Sequence, residues 1–219
     1  MYFTPRKAFV SDILFTLRTL APEFSSPPVL IGHSAGGGCV QDLLSNPDMD
    51  VHVGGMVLLA AIPGYGSLGV NINWWKLDPW FFLRMLWHCG HPRSPLSSTE
   101  LVRRAFFSRG MPEMEVKRVE RTMAEWESMS WPMGMMARFV EPMKVLQKLA
   151  GSERGILVVA GEKDKLMGVE IERKLAAWYR QAGGKVSVDV EVSSGVGHHL
   201  MLDVNWKDGA EKVAAWLDG

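Results

Sequence analysis

The sequence predicts an α/β fold with a parallel sheet at its core and a helical segment inserted between its strands. Three observations predict it. Four short apolar runs, at 28–33, 54–61, 155–161 and 185–192, have the length and β-branched content of buried strands. Stretches of helical periodicity lie before, between or after them, at 7–21, 36–46, 168–182 and 206–217. Strands alternating with helices pair in parallel, because each helix carries the chain back across a face of the sheet. The exception is 63–150, which is too long for a connection and too apolar for a disordered loop. It reads as a helical cap on a core formed by 1–62 and 151–219, the whole making one domain.

The first helix carries Phe9, Ile13, Leu14, Leu17 and Leu20 at helical spacing. Behind it, Pro28-Val29-Leu30-Ile31 runs directly into Gly32-His33-Ser34-Ala35-Gly36-Gly37, and then into the helix-like Gly38-Cys39-Val40-Gln41-Asp42-Leu43-Leu44. This is a G-x-S-x-G string set between a strand and a helix. A serine hydroxyl is a weak nucleophile, so chemistry at Ser34 needs a strained turn that exposes it to a base and a substrate. Gly32 and Gly36 are expected to admit backbone where a side chain would clash. The helix that begins here points free N–H groups and its positive end at any oxyanion beside Ser34, with Ala35 as the nearest donor.

The third strand, Gly155 to Gly161, ends three residues before Asp164. That acid also suits the N-cap of a helix over 166–182. The fourth strand leads to Gly195-Val196-Gly197-His198-His199 and on to Asp203. His198 follows a glycine directly, His199 would begin the helix leading to Leu200 and Leu202, and Asp203 reads as a cap for the last helix.

Ser34, Asp164 and His198, each just past the C-terminal end of a strand and in that chain order, make the sequence similar to the α/β-hydrolase superfamily, in its serine-nucleophile, capped, small-molecule branch. The resemblance covers nearly the whole chain. It implies Ser34 as nucleophile, Asp164 as orienting acid and His198 as general base in an acyl transfer. It also implies a departure. The family places several strands before the elbow and draws a second oxyanion-hole N–H from a loop after one of them, whereas here one helix stands before the nucleophile strand. The fold is thus expected to be a truncated α/β-hydrolase with half the usual oxyanion hole, a deficit that typically costs about a hundred- to a thousandfold in rate. The nucleophile strand becomes an apolar edge, so a homodimer or higher oligomer covering it is expected.

Composition bounds the rest. The chain has 219 residues, 47% of them hydrophobic, and balances 24 basic against 24 acidic residues. No net field recruits nucleic acid or acidic lipid, and no apolar run has the length of a bilayer span, so neither partner is expected. No cluster has metal-ligand spacing, and neither a metal nor a cofactor is expected. The N-terminus lacks a signal-peptide pattern, and Cys39 and Cys89 read as buried thiols, which together point to the cytoplasm.

The cap holds Trp74, Trp75, Trp80, Trp87, Trp126 and Trp131, with Met129, Met133, Met135, Met136 and Met143. Residue by residue these read as an insert packing its own core. As a set they describe an adaptable wall for a hydrophobic, aromatic or polyketide-like small molecule. Trp131, Met133 and Met136 are the expected substrate contacts, joined by His33, which serves by packing or hydrogen bonding beside the elbow. Three functions fit: a serine hydrolase of an ester, lactone or thioester; a cyclase, isomerase or lyase using the same residues; and a binding subunit without catalysis.

Overall fold

The computed structural model describes residues 3–128 and 130–219; Met129, one of the cap methionines, lies outside them. Four strands, β1 (Val29–His33), β2 (Gly55–Leu59), β3 (Ile156–Gly161) and β4 (Val188–Ser193), form one sheet in the order β1-β2-β3-β4. All three pairings are parallel, with Ile31 opposite Val57, Val57 opposite Leu157, and Leu157 opposite Asp189. The strands fall within a few residues of their predicted bounds. Every residue of β3 is buried, as a strand flanked on both sides and covered on both faces must be.

The helices are α1 (Arg6–Leu20), α2 (Ala35–Ser45), α3 (Leu68–Leu77), α4 (Phe81–Trp87), α5 (Thr99–Phe106), α6 (Glu113–Thr122), α7 (Ser130–Met133), α8 (Pro142–Lys148), α9 (Val169–Ala182) and α10 (Trp206–Asp218). Helix α2 packs on β1 and β2, α9 on β3 and β4, and α8 lies between α2 and α9, while α1 lies against α2. Helix α1 docks by Val10, Leu14 and Leu17. Helix α9 docks by Leu175, Ala176 and Tyr179, spaced as one helical stripe. Helix α10 packs on β4 and β3, and its Trp216 reaches the position facing Gly55 on β2. Helix α8, within the segment read as the cap, thus packs between two helices of the sheet layer.

No helix among the described residues is long and apolar enough to cross a membrane. The two cysteines are unpaired, but only Cys39 is buried. Cys89 is exposed, against expectation, in the turn that ends α4. The cap's own core also departs from its composition: Val102, Phe107, Met111 and Val116 form it, and the tryptophans do not.

Candidate active site

Three loops at the C-terminal ends of β1, β3 and β4 converge. The turn after β1 places Ser34 at φ 52 and ψ −122, a strained conformation for a residue with a Cβ. It is held from three sides: Ser34 N–H donates to Leu59 O (3.0 Å), and Ser34 O accepts from Ile62 N (2.9 Å) and Gly38 N (3.3 Å). A Cβ on Gly32 would sit 2.6 Å from the Gly37 Cα, and one on Gly37 would meet the Ala61 Cβ at 2.4 Å, so both glycines are required by close approach. Gly36 differs from its prediction, since a Cβ there meets nothing within 4 Å. The first N–H groups of α2, beginning with Ala35, have no carbonyl within the helix to bond and stand free beside Ser34.

Asp164 does not cap α9, whose N-cap is Gly168. Its Oδ1 accepts Leu166 N (2.7 Å) and Met167 N (3.0 Å), which fixes the carboxylate plane. Its Oδ2 is thereby aimed at His198 Nδ1, 2.9 Å away, and His198 Nε2 lies 3.0 Å from Ser34 Oγ. A carboxylate only accepts, so Nδ1 carries the imidazole proton and Nε2 is left to accept from the serine hydroxyl. Both His198 and Asp164 are buried. The structure therefore brings the three predicted residues together in one hydrogen-bonded line, and His199 is not part of it.

His33 ties the elbow to the histidine loop: its Nε2–H donates to the His198 carbonyl at 2.9 Å. Its ring lies 5.0 Å from that of His198 and 5.3 Å from that of His199, and Phe106 stacks on His198 at 5.6 Å. Burial, then the neighbouring His198, push the His33 pKa down to about 4, so its ring is neutral. Burial likewise lowers the pKa of His199. On α9, burial and then the charge of Asp164 push the fully buried Glu172 well above the carboxylate range. Among these acids, Asp164 is the one whose oxygen meets His198.

Asp203 is the functional residue that sequence reasoning misplaced. The N-cap of α10 is Asn205, and Asp203 is instead fully buried. Its Oδ2 accepts Gly197 N and Ser108 N, both at 2.7 Å, and its Oδ1 accepts Ser108 Oγ (2.7 Å) and Val204 N (2.8 Å). It thus locks the glycine before His198 to the cap after α5. The signal in the sequence was the acid itself, five residues after His198, but its partner Ser108 is 95 positions away.

Beside Ala35 and Gly36 runs a mainly apolar groove of about 570 Å³, walled by Phe9 and Ile13 of α1, Cys39 of α2, and Trp126 and Trp131 of the cap. Burial raises the pKa of the Cys39 thiol. Of the predicted substrate contacts, Trp131 lines this groove. Met133 does not and is 70% exposed. Met136 lies in a separate cleft with Tyr65 and Ile171, and its Sδ accepts from Asn71 Nδ2. The buried Met135 reaches α2 just behind the elbow, its sulfur 3.0 Å from where a Gly38 Cβ would stand.

No curated protein matches the sequence. Among solved structures, the fold matches an esterase from Exiguobacterium antarcticum (TM-score 0.62, 15% identity, 98% of this chain and 74% of that one). It matches an esterase from Thermogutta terrifontis with TM-score 0.63, 15% identity, and coverage of 99% and 73%. A monoacylglycerol lipase from Paleococcus ferrophilus matches with TM-score 0.58, 16% identity, and coverage of 95% and 74%. At such identities the likeness is one of fold. The model of the alpha/beta hydrolase family matches residues 4–216, and the chain belongs to that family.

Proposed function

We propose that this chain is a serine hydrolase that cleaves an ester, lactone or thioester of a hydrophobic small molecule by acyl transfer. The observation that carries the reading is the continuous line from Ser34 Oγ through His198 to Asp164, with hydrogen bonds of 3.0 and 2.9 Å. Ser34 Oγ attacks the carbonyl carbon as its proton passes to His198 Nε2. Asp164 holds the ring and stabilises the imidazolium. The oxyanion forms against the Ala35 N–H and the positive end of α2. His198 returns its proton to the leaving alcohol or thiol, then takes one from a water that attacks the acyl-enzyme. The carboxylic acid departs and Ser34 recovers its proton. The groove walled by Phe9, Ile13, Trp126 and Trp131 supplies the apolar contact for the substrate. The names of the matched structures, two esterases and a lipase, support this class of chemistry.

Labelling with a fluorophosphonate, followed by mapping of the adduct, tests the nucleophile. The adduct should sit on Ser34. Replacing Ser34 or His198 by Ala should each abolish nearly all turnover of a chromogenic ester, and the double variant should be little worse than either, because the residues act as a unit. No adduct, together with turnover that survives Ser34→Ala but not His198→Ala, would instead establish acid–base chemistry without an acyl-enzyme.

A further inference from the structure

The cap turns its most apolar surface outward. In α3 the exposed apolar side chains are Leu68, Ile72 and Trp75, at i, i+4 and i+7, with Asn71 and Lys76 exposed beside them. In α4 they are Phe82, Leu83, Leu86 and Trp87, with Trp80 just before the helix. Each helix thus carries a full hydrophobic stripe on its solvent side. Trp80 is 67%, Leu86 76% and Trp87 85% exposed, values that large apolar side chains rarely reach in adjacent turns unless the surface has a partner.

This face is rigidly built. Arg84 Nη2 meets the buried Asp78 at 2.7 Å across the α3–α4 turn, and Trp74 packs edge-on to Phe81 beneath it. Arg104 Nη2 donates to Leu77 O (2.6 Å), and Asn73 Nδ2 donates to Leu166 O (2.9 Å), two residues past Asp164. The face is therefore fastened at the end of the sheet where Ser34, Asp164 and His198 meet.

We propose that the α3–α4 face docks on the surface of a lipid bilayer, with its side chains in the headgroup and upper acyl region. Its chemistry favours lipid over a second protein. From Leu68 to Arg93 the only acid is Asp78, already buried against Arg84, while Lys76 is exposed on the rim. A face without exposed carboxylates and with a peripheral lysine complements phosphate headgroups. The indole N–H groups of Trp75, Trp80 and Trp87 donate to nothing among the described residues, and an indole with its ring in the acyl boundary and its N–H among headgroups is satisfied at both ends. Two short consecutive helices, joined through the Asp78 turn, present these apolar side chains without a spanning segment. Neutral net charge and the lack of a span, which lead a sequence reading away from membranes, bear on neither property.

The test is sedimentation of the full chain with vesicles of phosphatidylcholine, alone or mixed with phosphatidylglycerol, and it does not depend on the reaction catalysed. The chain should bind both, and more tightly with the anionic lipid. The exposed pair Leu86→Ser with Trp87→Ala should lower the binding constant by about tenfold or more. Lys76→Glu should weaken binding to the anionic vesicles alone. Phe15→Ala, an exposed site on α1 away from the cap, should change nothing. Lipids brominated in the acyl chain should quench the tryptophan fluorescence of the wild type and not that of the Leu86/Trp87 variant to the same extent. Failure to bind either vesicle overturns the proposal, as does a stable dimer that the Leu86/Trp87 variant dissolves, which would assign the face to a second copy of this chain.

Discussion

Strands β3 and β1 deliver the two ends of the same hydrogen-bonded line under opposite conditions. The six residues of β3 are buried without exception, between β2 and β4 and between α9 and α10. The acid and histidine loops beyond it and β4 are stapled by buried carboxylates, Asp164 to its own loop and Asp203 to the cap. Strand β1 pairs on one side only, and its Ile31 is 51% exposed on the face that α10 occupies over β3 and β4. Ser34 is nevertheless the most sharply fixed residue of the three, because the fit of Gly32 and Gly37 against neighbouring backbone and Ala61 leaves the elbow no room to relax. His198 and Asp164 are thus held in position by buried polar bonds, and Ser34 by steric exclusion.

The comparison makes Asp203 the most sensitive polar residue besides Ser34, Asp164 and His198. Asp203→Ala removes the acceptor of four hydrogen bonds in a site closed to water. Leaving Gly197 N and Ser108 N unsatisfied should cost about 3 kcal/mol of folding stability, read from urea unfolding. Turnover should fall as well, since Gly197 directs His198. Asp203→Ala with unchanged stability would mean that packing, and not this carboxylate, holds the histidine side.

His33 belongs to β1 but spends its side chain on the opposite half, and its titration shows how firmly the halves are joined. Its folded pKa lies near 4, below the ordinary histidine value of about 6.5 in the unfolded chain. Between these values the unfolded state binds a proton that the native state does not. The stabilising contribution is complete above about 6.5 and is lost as pH falls toward 4, with a slope near 1.4 kcal/mol per pH unit. His199, also lowered by burial, adds to the same limb. His33→Gln should flatten the acid limb of stability against pH without removing it. An unchanged slope would show that His33 titrates in the fold much as it does in the unfolded chain, and that burial does not disfavour its charged form.

Much of this arrangement was legible in the sequence, for a physical reason. The elbow, the acid after β3 and the glycine–histidine pair after β4 are local strings, each tied to a strand end by short-range geometry. What local patterns do not encode is which face of a helix finds a partner. Adjacent Met133, Met135 and Met136 look alike in sequence, but they lie in and after a single helical turn, and the turn sends only Met135 inward. The same holds for α3 and α4, where Trp74 turns to the interior and Trp75 to solvent. The role of Asp203 was hidden by distance along the chain.

The weakest consequence of the comparison lies on the open strand. Because Ile31 is half exposed and its neighbours Leu30 and Gly32 point into the structure, Ile31→Lys should alter monomer stability by no more than about 0.5 kcal/mol. Its effect belongs to association. An unpaired strand edge beside an exposed isoleucine templates pairing with another chain, and a lysine there is the substitution by which natural edges are blunted. If the edge of β1 is where two copies meet, light scattering at micromolar concentration should show the wild type as a dimer and Ile31→Lys as a monomer, both with the same unfolding midpoint at low concentration. An Ile31→Lys protein that remains associated would move the contact elsewhere, and the outward face of α4 would be the next surface to charge. A wild type that is monomeric throughout would mean that the edge is tolerated in water by its shortness, five residues with one exposed apolar side chain.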